Sequence, residues 1–288
     1  MIKEILSSFL FIALELTLLF VLISFFIHFL QAFIPYEKMR NFMENQPPLI
    51  SALGALLFAF VTPFCSCSTI PVVVNLLNQK VRFSIVMVFL FASPVLDPTI
   101  ITLMAAVLGA KVAFFYTFIT AVLSVIIGFL LEKLGFQEQV KKVIIKNYES
   151  SPKKVSLQDA YEETLGLMKT VYPFLLIGAA IGAVIHGAVP EQFISTYLSG
   201  DNWWLVPIAA IIGIPLYIRL STMIPISQIM IAKGMALGPV MALMISSAGA
   251  SLPEITLLNS IFKKKLVAAF IASVITMSTI SGFLFYFI

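Results

Sequence analysis

The sequence predicts an all-α polytopic membrane protein made of two pseudo-symmetric, inverted repeats of about four hydrophobic spans each, with broken or re-entrant helices in each half. Composition is the first reason, because 60% of the 288 residues are hydrophobic and only 11% are charged, whereas soluble domains carry roughly a quarter charged residues. Length is the second, because the apolar stretches reach the roughly 20 residues that a membrane-crossing helix needs. The third is that prolines interrupt these stretches at corresponding places in both halves.

Eight apolar spans surround a single long hydrophilic segment. The spans cover residues 5–34, 49–78, 83–107, 111–131, 165–189, 203–232, 236–262 and 265–288. We therefore expect an N-terminal membrane repeat at residues 1–131, a cytoplasmic linker at 132–164 and a C-terminal membrane repeat at 165–288. The first span is too long for the apolar core of a signal peptide, so we expect it to be retained as a helix.

The two halves resemble each other when the numbering is shifted by 154 residues. Ser68-Thr69-Ile70-Pro71 then falls on Thr222-Met223-Ile224-Pro225, and Lys111 falls on Lys265. Chance alignment of two apolar sequences is the alternative. If each broken middle region makes an odd number of crossings, the linker and Lys263-Lys264-Lys265 share one side, in keeping with the positive-inside rule. That topology inverts one half relative to the other, and it predicts a multi-pass protein of the cell (inner) membrane.

The charge and motif content limit the kinds of function. The net charge of +4 comes from the loops, so we read it as a signal of membrane orientation and expect no nucleic-acid partner. The sequence has no Gly-x-x-x-x-Gly-Lys-Ser/Thr and no HExxH motif, so we expect no enzyme activity and no resident cofactor. The predicted partners are a small-molecule substrate and the lipid bilayer, and the sequence leaves the oligomeric state open.

The segment least like a membrane span carries the only two cysteines of the chain, Cys65 and Cys67, between Pro63 and Pro71. In an α-helix these two thiols would point to opposite sides, whereas in an extended segment they share a side. We expect the backbone to unwind between the two prolines, so that the thiols can chelate a soft ion such as As(III), Cu(I), Zn(II) or Hg(II). The alternative is that both cysteines are small buried hydrophobic residues.

Two carboxylates also fall inside apolar spans. Asp97 lies in Ser93-Pro94-Val95-Leu96-Asp97-Pro98, and Glu254 follows Pro253 at the matching place of the second half. An ionisable side chain at a break within the membrane is a candidate for proton coupling. The alternative is that each acid caps the half-helix that follows, because acidic groups favour helix N-termini.

An arginine lies in the second half where the first half has its thiols. With the shift of 154 residues, Arg219 and Ser221 fall on the two cysteines. A guanidinium inside the membrane needs a partner or an aqueous cavity. Arg219 could therefore stabilise a thiolate or an anionic substrate, or it could form a structural ion pair with Asp97 or Glu254.

The predicted substrate site combines the thiol segment, the membrane carboxylates, the arginine segment and one amide that could line the site. Its residues are Cys65, Ser66, Cys67, Ser68, Asn75, Asp97, Arg219, Ser221 and Glu254. Cys65 and Cys67 are the predicted ligands of As(III) or a soft metal ion.

Thr62-Pro63-Phe64-Cys65-Ser66-Cys67-Ser68-Thr69-Ile70-Pro71, followed by Phe91-Ala92-Ser93-Pro94-Val95-Leu96-Asp97-Pro98, resembles the ArsP-type permease family of the YraQ kind. The layout of two hydrophobic halves and a polar linker is similar over nearly the whole chain. The resemblance implies export of trivalent organoarsenicals, with the arsenic bound by Cys65 and Cys67. Asp97 stands where family members commonly have Asn.

These observations favour a permease that exports trivalent organoarsenicals or a related soft-element solute through its Cys-x-Cys site. A monoalkyl As(III) species has two exchangeable positions, which two thiolates could fill. One alternative is a transmembrane thiol–disulfide conduit, but such carriers generally need a reactive cysteine in each half, and the second half offers Arg219 and Ser221 instead. Further alternatives are a permease for an unrelated small solute and a membrane scaffold that transports nothing.

Overall fold

Helices form nearly all of the regular structure in the described part of the chain. The computed structural model describes residues 14, 18, 47–61, 66–78, 80–141, 203–215, 220–232 and 234–287. The first half contributes α1 (Pro48–Val61), α2 (Ser66–Asn78), α3 (Phe83–Ala92), α4 (Pro98–Val107), α5 (Ala110–Lys133) and a 3-10 turn at Phe136–Gln139. The second half contributes α6 (Leu205–Gly213), α7 (Leu220–Ala232), α8 (Leu237–Gly249), α9 (Leu252–Ile261), α10 (Lys264–Leu284) and a 3-10 turn at Phe285–Phe287. The predicted all-α class is confirmed for these residues.

Two helices in the described ranges are long and apolar enough to cross a membrane by themselves. They are α5 and, with its terminal 3-10 turn, α10, each 24 residues long, so that each rises about 36 Å against a hydrocarbon core of roughly 30 Å. A third span is possible if α8 and α9 count as one helix bent by 44° at its break. The membrane assignment of the chain is therefore confirmed, whereas α1, α3 and α4 are shorter apolar helices.

One face of α5 is apolar and exposed, as expected for a surface that contacts lipid. Phe114, Phe118, Val122, Ile126 and Leu130 are exposed, and their spacing of four residues places them in a single stripe along the helix. The opposite face is buried and carries the hydroxyl groups that bond within the protein. An exposed apolar stripe of this length is expected where a helix faces acyl chains rather than water.

A short backbone ladder joins the two halves where α5 ends. The Lys141 amide donates to the Ile261 carbonyl at 3.0 Å, and the Lys263 amide donates to the Gln139 carbonyl at 2.8 Å. The start of the predicted linker and the triple-lysine segment therefore lie at one end of the molecule, which we call the linker end. Because α5 ends there and α10 begins there, these two long helices run antiparallel, and Ser124 Oγ approaches Met277 Sδ to 4.0 Å where they cross.

The other end of the molecule, which we call the tryptophan end, brings together the end of α10 and the starts of α6 and α8. A Cβ atom at Gly282 would lie only 2.6 Å from Val206 Cγ1 and 2.9 Å from Ala242 Cβ, so the three helices are in close contact there. Trp203 and Trp204 precede α6 and are exposed, as expected for side chains at a membrane interface.

Helices α6 and α7 run in opposite directions relative to α8. Val206 near the start of α6 lies level with the start of α8, and Gly213 at its end packs against the Leu243 carbonyl, so α6 and α8 run parallel. Helix α7 turns tightly into α8 through the hydrogen bond from the Met235 amide to the Met230 carbonyl, so α7 runs antiparallel to both. The end of α6 and the start of α7 therefore both lie away from the tryptophan end.

The expected unwinding between Pro63 and Pro71 is wrong for its second part. Helix α2 already begins at Ser66 and contains Pro71 as its sixth residue. Proline at that position removes one helical hydrogen bond, the one to the Cys67 carbonyl. Backbone groups in lipid must find their hydrogen-bond partners within the protein. A helix that continues through Pro71 leaves one carbonyl without its helical partner, whereas a segment unwound as far as Pro71 would leave several carbonyls and amides without partners.

Candidate functional site

Four short helices, α2, α4, α7 and α9, begin between the two ends of the molecule and run outward. Helices α4 and α7 both run outward to the tryptophan end, and Gln228 on α7 donates through Nε2 to the Val107 carbonyl of α4 at 2.7 Å. Helices α2 and α9 contact each other and both run to the linker end. A half-helix of ten residues rises about 15 Å, or half of the hydrocarbon layer, and α9 follows Gly249, which packs on Val274 halfway along α10.

Two contacts establish the direction of α2 and α3. Arg82, just before α3, forms an ion pair with Glu132 near the end of α5, with Nε at 2.8 Å from Oε1. The Ser84 amide donates to the other carboxylate oxygen at 3.2 Å. The turn between α2 and α3 therefore lies at the linker end, and α2 begins deep in the protein.

Asp97 caps the N-terminus of α4. Its Oδ1 accepts from the Thr99 amide at 2.8 Å and also from the Thr99 hydroxyl, and Pro98 occupies the first helical position. Two further contacts stabilise the break before it: Tyr116 donates its hydroxyl to the Val95 carbonyl at 3.0 Å, and the Ser93 hydroxyl lies 3.2 Å from that of Thr69. The capping interpretation of Asp97 is thus what the structure shows.

Glu254 belongs to a capping box at the start of α9. Ser251 Oγ accepts from the Glu254 amide at 3.4 Å, and Glu254 Oε2 accepts from the Ser251 amide at 3.3 Å. The glutamate is completely buried. The cap explains why a carboxylate lies at this break, because Glu254 accepts a hydrogen bond from the Ser251 amide, which α9 itself leaves unpaired.

The thiol segment is described only in part. Ser66, Cys67 and Ser68 form the first turn of α2, and their side chains lie outside the described residues, as does Cys65 altogether. Cys67 is therefore the second residue of a helix, and Cys65 immediately precedes that helix in the sequence. The joint action of the two thiols stays a prediction.

The remaining predicted residues divide into two groups. Arg219 lies outside the described residues, and Ser221 is the second residue of α7 with its side chain outside them. Asn75 is 5% exposed, but it lies nine residues after the start of α2, about 14 Å toward the linker end. Cys67, Asp97 and Glu254 therefore each lie at the start of a short helix that runs outward, whereas Asn75 lies well along α2.

Sequence reasoning missed the hydroxyl contacts that hold the first break together. Thr69, Ser93 and Tyr116 are fully buried, and their partners lie on other segments of the chain. A tyrosine inside an apolar span was the only local signal, because a buried hydroxyl needs a partner. Among the described residues there is no group of three or more His, Cys, Asp or Glu side chains that could hold a metal ion.

Comparison with known proteins gives a consistent family signal over the whole chain. The ArsP_1 family model, described as a predicted permease, matches residues 1–287. The UPF0718 protein MJ0584 of Methanocaldococcus jannaschii is 23% identical over 307 aligned residues, covering 85% of this chain and 84% of that protein. The UPF0718 protein YraQ of Escherichia coli K12 is 23% identical over 251 aligned residues, covering 82% of this chain and 67% of that protein. No solved structure matches the chain.

Proposed function

This chain belongs to the ArsP_1 family of predicted permeases, and we propose that it exports a trivalent organoarsenical or a related soft-element solute across the inner membrane. The proposed ligands are Cys65 and Cys67, and the proposed site lies where α2, α4, α7 and α9 begin. The solute crosses as the cargo of a secondary permease, and the protein catalyses no net chemical reaction.

The position of four helix starts between the two ends of the molecule is the observation that supports this proposal. A helix N-terminus carries roughly half a positive charge and backbone amides that the helix itself leaves unpaired. Side chains already cap some of these amides in α4 and α9. Transporters use half-helix ends of this kind at the membrane midplane to bind substrates and ions. Cys67 lies in the first turn of α2, at one of these helix starts. A thiolate is the form that binds soft elements.

The partial helix also suits a two-thiol site, although not in the extended form that the sequence suggested. A side chain just before the first helical residue folds back over the first turn, as capping side chains do. We propose that Cys65, which immediately precedes α2 in the sequence, binds the solute together with Cys67. Each thiol then replaces one hydroxyl of a monoalkyl As(OH)₂ species: an As–S bond forms, an As–O bond breaks, and the thiol proton leaves with the hydroxyl as water.

The spacing of the described helices supports the two inverted repeats. Helix α2 starts at 66 and α7 at 220, α3 at 83 and α8 at 237, α4 at 98 and α9 at 252, and α5 at 110 and α10 at 264. Each difference is 154 residues (220 − 66, 237 − 83, 252 − 98 and 264 − 110). Because α5 and α10 run antiparallel, one repeat is inverted relative to the other. On this basis we keep the division into a repeat at 1–131, a linker at 132–164 and a repeat at 165–288.

Uptake of a methyl- or phenyl-substituted As(III) compound into everted inner-membrane vesicles tests the proposal. We expect C65S and C67S each to lower the energised uptake at least about tenfold, because losing one of two As–S bonds costs more than 1.4 kcal/mol. S278A is the matched control, since Ser278 is buried and bonds to the Val274 carbonyl of its own helix.

Full uptake by both cysteine variants, at equal protein levels, would contradict the thiol site. A mixed disulfide trapped by alkylation at Cys65 or Cys67 would instead support the thiol–disulfide conduit.

A further inference from the structure

Two asparagines follow the thiol segment down one face of α2. Asn75 and Asn78 are three residues apart in α2, so they are neighbours on one helical face. This face leads from the start of α2, deep in the protein, to the linker end. We infer that Asn75 and Asn78 line the part of the solute route that connects the thiol site to the linker-end surface. The inference rests on the proposed function and adds to it the path by which the solute enters.

The amide of Asn78 carries the inference. Among the residues that the structure describes, neither Nδ2 nor Oδ1 of Asn78 has a hydrogen-bond partner, although the protein encloses both atoms. Polar groups enclosed in proteins nearly always have a partner, and an exception calls for water, an ion or a ligand. A water-filled passage beside α2 supplies that partner. A buried side chain with no such passage would have been more stable as leucine or alanine.

The asparagine face is not the face that packs on α3. Thr69 contacts Ser93 at the end of α3, and six residues of helix rotate Asn75 about 240° away from Thr69. Leu76, which is 6% exposed, lies only about 20° from Thr69. The two faces of α2 thus differ in chemistry: the face toward α3 carries Thr69 and Leu76, and the other carries two amides.

In the described part of the second half, α7 carries no asparagine at the two positions that correspond to Asn75 and Asn78. The residues 154 positions later are Ile229 and Ala232, at the end of α7. An amide-lined passage therefore leads only to the linker end, which we assign to the cytoplasm because the lysine-rich linker starts there. This asymmetry fits a protein that takes up its solute from the cytoplasmic side.

The first test measures access and does not depend on the solute. In a C65S/C67S background, N78C and L76C are each treated with a membrane-impermeant methanethiosulfonate in everted vesicles, which expose the cytoplasmic side. We expect N78C to be labelled at least about tenfold faster than L76C, because L76C must await local opening of the α2–α3 contact. Equal labelling of N78C and L76C would overturn the passage and indicate an isolated structural water at Asn78.

The second test measures transport in the protein with both cysteines. We expect N78L to lower As(III) uptake roughly tenfold, the loss that corresponds to one missing polar contact along the route, and N78S to restore part of it. N259L is the control, because the Asn259 amide donates to the Ile255 carbonyl of its own helix near the same end. Wild-type uptake by N78L would contradict the inference.

The experiments distinguish a failure of the thiol site from a failure of the asparagine-lined passage. Rapid labelling of N78C together with full transport by C65S and C67S would keep the passage and remove the thiol site. Slow labelling of N78C together with inactive cysteine variants would keep the thiol site and remove the passage.

Discussion

Carboxylates at the breaks that precede α4 and α9 stabilise the N-terminal ends of these two apolar helices. Asp97 accepts two hydrogen bonds from Thr99, and Glu254 exchanges hydrogen bonds with Ser251. Lipid offers no water to satisfy the first amides of a half-helix, so a side-chain acceptor at each start has a structural reason to exist. Proton coupling through either carboxylate stays a prediction beside this role.

We expect D97A to lower the free energy of unfolding by about 1 kcal/mol, the usual loss on removing an N-cap acceptor. D97N keeps one oxygen acceptor and should lose less than half of that. Thermal unfolding of the detergent-purified protein measures both variants, and D97N also removes the negative charge.

An unchanged pH dependence of transport in D97N would assign Asp97 to capping alone. Equal losses of stability in D97A and D97N would instead contradict the capping account, because the amide oxygen of asparagine caps nearly as well as a carboxylate.

At the scale of elements, the close helix contacts at the tryptophan end depend on glycine residues, which have no side chain. Gly282 on α10 meets Gly238 on α8 and Val206 on α6. Small residues allow membrane helices to approach closely, and dispersion contacts and polar bonds then hold them together. A methyl group at Gly282 has no room, because both a side chain and a backbone carbonyl lie within 3 Å of its position.

We expect G282A to destabilise the protein by about 1–3 kcal/mol through overpacking. G54A is the matched control, because Gly54 lies within α1 with nothing near its added methyl group, and alanine there should stabilise the helix by up to about 1 kcal/mol. Thermal unfolding in detergent measures both, and a G282A protein as stable as the wild type would contradict the packing at this end.

The sequence predicted helices better than it predicted their starts. Uninterrupted apolar residues were enough to identify α5 and α10, and Pro98 beside an acid predicted a break, with a cap as one of two interpretations of the acid. The start of α2 at Ser66 was not predicted. The free-energy cost of a proline depends on how far it lies from the helix start, and the sequence alone did not locate that start relative to Pro71. Contacts such as Lys141 with Asn259 join segments far apart in the chain, and no local pattern encodes them.

At the scale of the whole molecule, the ladder between Val140 and Phe262 gives the two halves a fixed point at the linker end. Lys141 and Lys263 extend it, since each also donates its Nζ to a carbonyl of the opposite half. The linker therefore leaves the first half beside the start of α10. This arrangement agrees with the topology that the lysine distribution predicts, in which the linker and the triple lysine are cytoplasmic.

The central claim is that half-helix starts inside the membrane present two thiols to one soft-element solute. Arsenic K-edge X-ray absorption of the purified protein, loaded with one equivalent of a phenyl-substituted As(III) compound, tests it directly. The account predicts arsenic bound to one carbon and two sulfur atoms, with sulfur lost stepwise in C65S and C65S/C67S. An arsenic atom with only carbon and oxygen neighbours in the wild-type protein would contradict it.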